Sequence, residues 1–382
     1  VYIESVKVKD FRNFSETEVA FRHPDEEDTS CWKNITLILG VNGSGKTNLL
    51  RAIVTGLINE LMPRLPSRYT VRNTAKGNQQ PEKATINLRA ILHKRDLMDT
   101  PNFHQEVTVE RNTGPKVTHM SVDETTFKAQ LFAEDQSSFF LAAYGASRWT
   151  PVPGNWDSPE SRNLRSHARF QRVASLYEDN FGLMPLEVWY VKMMFQRPLM
   201  AGKVLSLIKS MLPEGLADAQ FLEKEPLFEG STGVRLPMSE LSDGYRSYLA
   251  WVCDLAYHLA SVTPDDGDLT AVQGVVVVDE VDLHLHPKWQ QQVLRKISEN
   301  FPALQFILTS HSPLVAGTVA AANLLVMGTD EQGFPTITQP TTEIQGLSAD
   351  QILLSTPFGL SNSRTPKMVQ KLNEVSERVS AG

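Results

Sequence analysis

An α/β protein with a mainly parallel core sheet is what this chain of 382 residues predicts, on three observations. The apolar run Ile35-Thr36-Leu37-Ile38-Leu39 meets a glycine-rich turn, Gly40-Val41-Asn42-Gly43-Ser44-Gly45-Lys46-Thr47, and a helical pattern follows. Val275-Val276-Val277-Val278 is a β-branched run suited to a strand buried on both faces. Leu304-Gln305-Phe306-Ile307-Leu308 is a second such strand, separated from the first by a helical stretch over Lys288–Asn300. Strands alternating with helices in this way form parallel sheets.

The remaining elements follow in chain order. Tyr2 to Phe21 alternates as two antiparallel strands around the turn Lys9-Asp10-Phe11-Arg12-Asn13-Phe14, and His23–Ser30 is a polar, mostly acidic loop. After Lys46, apolar residues at Leu49, Leu50, Ile53, Val54, Leu57, Ile58 and Leu61 keep the helical period. Arg64–Gln80 reads as an exposed basic loop, and Thr85–Leu92 and Val107–Glu110 as half-buried strands. Ser138–Tyr144 is a buried strand candidate, and Thr150–Pro159 a proline-rich boundary. From Arg165 to about Leu222 the pattern is helical, and an acidic-polar loop precedes Pro237. Tyr245, Tyr248, Leu249, Val252, Leu255 and Leu259 mark another helix, and Pro366–Val379 a closing one. The expected organisation is a nucleotide-binding lobe over 1–135 and 270–382, with a helical lobe over 136–269.

Composition limits the function classes. Apolar residues at 41% and charged residues at 21% describe a globular chain with a sizeable core. No run approaches the ~18 apolar residues of a membrane span, no signal pattern opens the chain, and two cysteines are too few for a disulfide framework. A cytoplasmic protein is expected. The net charge of −7 argues against DNA held by bulk electrostatics, leaving a local basic patch or a partner to supply any such contact. Arg162, Arg165, Arg169 and Arg172, with His167, form the one cationic run of note, either a DNA or partner contact or a solvated helix face.

The glycine turn fits the phosphate-cradling template G-x-x-x-x-G-K-[ST]. Its glycines let backbone N–H groups converge on phosphate oxygens at a helix N-terminus. Lys46 would neutralise the terminal phosphates, and Thr47 would offer a hydroxyl to Mg²⁺. Asp279 and Glu280 end the valine strand, where ligands sit in open α/β sheets. There Asp279 would serve the Mg²⁺ shell, and Glu280 would polarise an attacking water. Ser242 and Gly244 precede a helix and could meet a phosphate, or simply begin the helix. His311 follows the Leu304–Leu308 strand as either a functional or a satisfied polar residue. His284 and His286 could be read as a metal pair, but a third ligand is not apparent and packing of Leu283 and Leu285 explains the segment better.

Taken in order, these motifs resemble the ATP-binding-cassette ATPases of the branch containing RecF, the SMC heads and the OLD-type ATPases. Phe11-Arg12-Asn13-Phe14 looks like that branch's N-terminal arginine element, and Gly40–Thr47 like the first Walker motif. Leu241–Gly244 is similar to the signature, Val275–Glu280 to the second Walker motif, and Ser310-His311-Ser312-Pro313 to the switch histidine. A narrower likeness, in Ala143–Arg148, Leu241–Arg246, Asp279–Pro287 and Gln351–Leu360, is to standalone ATPases of prokaryotic anti-phage systems of the Septu and retron-associated kinds.

The resemblance implies a P-loop NTPase with ABC head architecture and an ATPase that is slow and regulatory. It implies a homodimer closing around ATP and Mg²⁺, and a separate nuclease effector in antiviral defence. Arg12, Asn13, Asn42, Gly43, Ser44, Gly45, Lys46, Thr47, Asn48, Ser242 and Gly244 would bind nucleotide. Thr47 and Asp279 would hold the metal, and Glu280 and His311 would serve catalysis. The Q-loop glutamine has no counterpart after Phe139–Tyr144, where Arg148 could contact phosphate or partner, and His286 stands where an aspartate usually ends the D-loop. No nuclease signature or toprim-type module is legible. The alternatives are a RecF-like repair ATPase acting directly on DNA, or a nucleotide-gated scaffold with negligible turnover.

Overall fold

The computed structural model describes residues 1–27, 32–58, 81–93, 96, 102–110, 115–122, 139–151, 168–221 and 226–355, with 358, 368 and 370. The Arg64–Gln80 loop, most of the Thr150–Pro159 boundary and nearly all of the closing helix lie outside the described residues.

β1 (Tyr2–Lys9) and β2 (Glu16–Ala20) form the expected hairpin, with Val6 opposite Val19. β3 (Ile35–Leu39) leads through the glycine turn into α1 (Lys46–Ile58). β4 (Lys83–Ile91), β5 (Asn102–Glu110) and β6 (Pro115–Met120) extend the hairpin into an antiparallel sheet of order β2-β1-β4-β5-β6. β7 (Leu141–Tyr144) is followed by α2 (Ala168–Ala174), α3 (Leu186–Gln196) and α4 (Pro198–Ser210).

The end of the stretch expected to be helical to about Leu222, and the loop expected between it and Pro237, instead form a small antiparallel sheet of β8 (Leu216–Phe221), β9 (Pro226–Gly230) and β10 (Arg235–Pro237). Helix stops near Pro213, which cannot continue it. Beyond that point Ala219 and Phe221 are buried two residues apart, the strand period.

α5 (Asp243–Val262) and β11 (Gly274–Val278) follow. The helix expected over Lys288–Asn300 is two, α6 (Pro287–Gln290) and α7 (Val293–Asn300). β12 (Leu304–Ser310), α8 (Pro313–Ala316), β13 (Leu324–Thr329), β14 (Pro335–Thr338) and α9 (Ala349–Leu353) complete the order.

The core sheet runs β14-β13-β3-β12-β11-β7, parallel throughout except at β14. β7 pairs with β11, Ala143 lying opposite Val277, so the nucleotide sheet takes its edge strand from the segment assigned by sequence to the helical lobe. Strand alternation divides the core in two. Leu37, Leu39, Val276, Val278, Phe306 and Leu308 pack with α3, α4, α5 and α7. Ile38, Leu141, Val275, Val277 and Ile307 pack with α1 and the antiparallel sheet.

Helix α1 is thus sandwiched between two sheets, and ten of its thirteen residues are buried. Gln105 of β5 donates from Nε2 to the Gly56 carbonyl at 2.8 Å. Gln305 of β12, fully buried, exchanges two 2.7 Å bonds with the Ile3 backbone as a peptide group would. That side chain joins the antiparallel sheet to the core sheet, and it satisfies itself in doing so. Among the described residues no helix is long and apolar enough to cross a membrane.

Candidate functional site

β3, β12 and β11 are neighbours running the same way, so the glycine turn, the Ser310-His311 step and the Asp279-Glu280 pair emerge together at their C-terminal ends. A cavity of about 360 Å³ forms there, lined by Asn42, Gly43, Gly45, Lys46, Thr47, Asn48, Glu280 and His311. The turn reaches this shape through two left-handed glycines, Gly43 at φ 79° and Gly45 at φ 107°. At Gly45 a side chain would be excluded twice over, since its Cβ would stand 2.7 Å from Asn13 Nδ2. Ser44 lies under the turn, buried, beside Gly40.

Lys46 Nζ donates to the carbonyls of Gly40 at 2.8 Å and Val41 at 3.1 Å, so the ammonium is held at the mouth of its own loop. Burial lowers its pKa, against the opposing pull of Asp279, Glu280 and Asp282. Thr47 Oγ1 donates to Asp279 Oδ2 at 2.5 Å, and Thr309 Oγ1 donates to Asp279 Oδ1 at 2.6 Å. Thr309 also accepts from Glu280 N at 2.7 Å. The parallel register, Val278 opposite Leu308, is what sets Thr309 beside that acidic pair. A threonine hydroxyl touching a carboxylate supplies hard oxygen donors of the kind Mg²⁺ takes, so the residues present fit the ion.

Arg12 and Asn13 reach the site through Asn48. Arg12 Nη1 donates to Asn48 Oδ1 at 3.1 Å, and Asn48 Nδ2 donates to Asn13 Oδ1 at 2.7 Å. Arg12 has left-handed φ 52°, and its guanidinium is depressed to about 10 by burial first and by Arg51 second. His311 is held below the usual imidazole range, again chiefly by burial and then by the Lys46 charge.

Ser242 and Gly244 do not join this group. They line a different cavity of about 390 Å³, with Glu214, Tyr245, His284, His286, Lys288 and Trp289 among its walls, and no residue borders both. Ser242 occupies the N-cap of α5 with extended backbone, yet its side chain makes no capping bond. Gly244 packs on the His284 carbonyl so closely that a Cβ would sit 2.4 Å from that oxygen. His286 is the N-cap of α6, its Nδ1 accepting from Lys288 N at 3.4 Å. Among the described residues no group of three His, Cys, Asp or Glu could hold a metal in the manner of a His284–His286 site.

Two sequence readings are corrected. Arg148 is not free to meet a phosphate: it is buried, and Nη1 and Nη2 donate to the Asp279 and Glu280 carbonyls at 2.8 Å each. Arg169 and Arg172, expected on a DNA-binding or solvated face, are buried in α2, with Arg169 Nη1 donating to the Phe139 carbonyl and Arg172 lying 5.0 Å from the Phe140 ring centre. A helix packed under a sheet edge can bury arginine where carbonyls and rings receive it. Arg162, Arg165 and His167 lie outside the described residues. Thr309 escaped the sequence reading, although its place at the strand end, next to His311, was a usable signal.

Residues 35–317 match the family model AAA_21, described as "AAA domain, putative AbiEii toxin, Type IV TA system". The chain is 22% identical to the "Retron Vc95 probable ATPase" of Vibrio cholerae serotype O1 biovar El Tor, over 92% of this chain and 78% of that protein. It is 22% identical to "Septu protein PtuA" of Bacillus mycoides (strain KBAB4) over 99% of this chain, but it spans only 47% of that longer relative. In fold it is similar to the SMC head domain from Thermotoga maritima, with a TM-score of 0.52 at 13% identity, covering 90% of this chain and all of that one.

Proposed function

The chain belongs to the AAA_21 family, and from that premise we propose an ATP-hydrolysing subunit that pairs with a second copy around ATP. Its output is control of a partner effector, a nuclease, in anti-phage defence in the cytoplasm. The observation that carries the pairing is the separation of the two cavities: Lys46, Thr47, Glu280 and His311 stand at one, Ser242 and Gly244 at the other. A half-site of this kind is completed by the opposite half of another molecule, since in an isologous two-fold pair edge i meets edge j and j meets i, and both sites close together. The two-lobe division is retained as part of the proposal, with Leu141–Tyr144 reassigned to the nucleotide lobe.

In this reading Lys46 and the N–H groups at the start of α1 receive the β- and γ-phosphates. Thr47 and Asp279 hold Mg²⁺, which when bound neutralises charge on those phosphates. Glu280 takes the proton of the attacking water, and His311 meets the terminal phosphate in its neutral form. The second copy brings the Ser242 hydroxyl and the N–H groups at the start of α5. ATP binding then favours the paired state by its differential affinity, and hydrolysis withdraws that preference. The retron and Septu relatives support the defence setting. Burial of Arg169 and Arg172 takes two cations from the RecF-like alternative of direct DNA contact.

Steady-state phosphate release tests the enzyme reading against a non-hydrolysing scaffold. Wild type should turn over slowly, and Glu280→Gln about 10²–10⁴-fold more slowly still, with ATP·Mg²⁺ binding retained in calorimetry. Equal rates for the two proteins would contradict it.

A further inference from the structure

We infer that Arg148 is a positioning residue for hydrolysis, fixing the Glu280 main chain in the conformation that places its carboxylate on the nucleotide cavity. The inference deepens the proposed function and rests on Glu280 acting on water.

Glu280 has φ 48°, a left-handed conformation that a glutamate holds only when its surroundings over-determine it. Its backbone N–H is fixed by Thr309 Oγ1 at 2.7 Å, and its carbonyl accepts from Leu283 N at 3.0 Å. Arg148 adds what those two bonds lack. The Asp279 carbonyl belongs to the peptide plane before the Glu280 Cα, and the Glu280 carbonyl to the plane after it. One rigid guanidinium grips both, Nη1 on the first and Nη2 on the second, at 2.8 Å each. The angle between those two planes is set by φ and ψ of Glu280, so the fork constrains those torsions directly.

Arg148 is absent from the walls of the nucleotide cavity and lines a different one of about 810 Å³, with Asp243, Leu283 and His284. It therefore acts through Glu280 and not on phosphate. Its charge survives burial, which lowers it to about 10, because Asp279, Asp282 and Glu280 stand near. The arm that carries it is itself anchored. The Tyr144 carbonyl accepts from Asp279 N at 2.8 Å, and the Tyr144 hydroxyl donates to Asp254 Oδ2 of α5 at 3.0 Å. At Gly145 the loop passes so close to α2 that a Cβ would stand 2.2 Å from the Ser175 carbonyl.

The test measures kcat, KM and calorimetric ATP·Mg²⁺ affinity for full-length Arg148→Lys and Arg148→Met, each alone and combined with Glu280→Gln. Arg148→Met should lose about 10²-fold in kcat, the cost of misplacing a reacting group by ~1 Å, with affinity held within about threefold. Arg148→Lys, one point donor in place of a fork, should also lose at least about tenfold. In the Glu280→Gln background neither change should slow the residual rate further, because the group being positioned is gone. Wild-type kcat in Arg148→Lys overturns the inference, and Arg148→Lys decides the matter where Arg148→Met fails to fold. An Arg148 effect of undiminished size in the Glu280→Gln background also overturns it. A fully active Glu280→Gln would instead remove the reading of Glu280, and the inference with it.

Discussion

Around the glycine turn the side chains that begin α1 find partners within the chain: Lys46 on two carbonyls, Thr47 on Asp279, Asn48 on Asn13. At the head of α5 the opposite holds. Ser242 begins a twenty-residue helix, the place where a serine ordinarily bonds the first free N–H groups, yet its hydroxyl caps nothing and is exposed. The first region is preorganised and the second is left open. Preorganised donors aimed at developing charge are what catalysis uses, whereas unused donors at a helix N-terminus suit an anion that arrives from elsewhere. The contrast is what the proposed pairing needs: one copy would carry the chemistry and offer its open edge to another.

Substitution at the open edge should break the contrast most sharply. Ser242→Arg should abolish measurable phosphate release, while ATP affinity of the single chain, measured by calorimetry at low protein concentration, stays within about threefold of wild type, since the nucleotide cavity is untouched. Loss of both together would mean that the two edges are not separate. A smaller effect sharpens the preorganised side. His311 sits below the usual imidazole range because burial and Lys46 oppose its charge. The folded state therefore binds fewer protons there than the unfolded state, and this contribution to stability falls as pH drops through about 6.5. Thermal melts from pH 7.5 to 5.5 should show wild type losing more than His311→Gln, by less than about 3 °C. Parallel curves would remove the assigned environment of His311.

Much of this was legible in the sequence, for reasons that differ from element to element. The Val275–Val278 strand announced itself because burial on both faces demands an uninterrupted apolar run, and the structure sends its alternate valines to the two cores. The glycine turn was legible because only glycine holds φ 107° against Asn13. Short strands of mixed composition were not: Leu-Ala-Asp-Ala-Gln-Phe at Leu216–Phe221 has weak strand preference and gains its place by pairing with β9. Nor were the arginines. Arg148 read as a phosphate or partner contact and Arg169 and Arg172 as surface cations in one dimension, whereas in the fold they are buried against carbonyls and a ring. Thr309 and Arg148 serve Asp279 and Glu280 from 30 and 131 residues away, distances that local patterning cannot span.

The claim that ATP joins two copies is met most directly by static light scattering of Glu280→Gln, with and without ATP·Mg²⁺, alongside the Glu280→Gln/Ser242→Arg double variant. The account gives an ATP-dependent doubling of mass for the single variant and none for the double. A mass that ATP leaves unchanged in Glu280→Gln, with nucleotide bound by calorimetry, would contradict it.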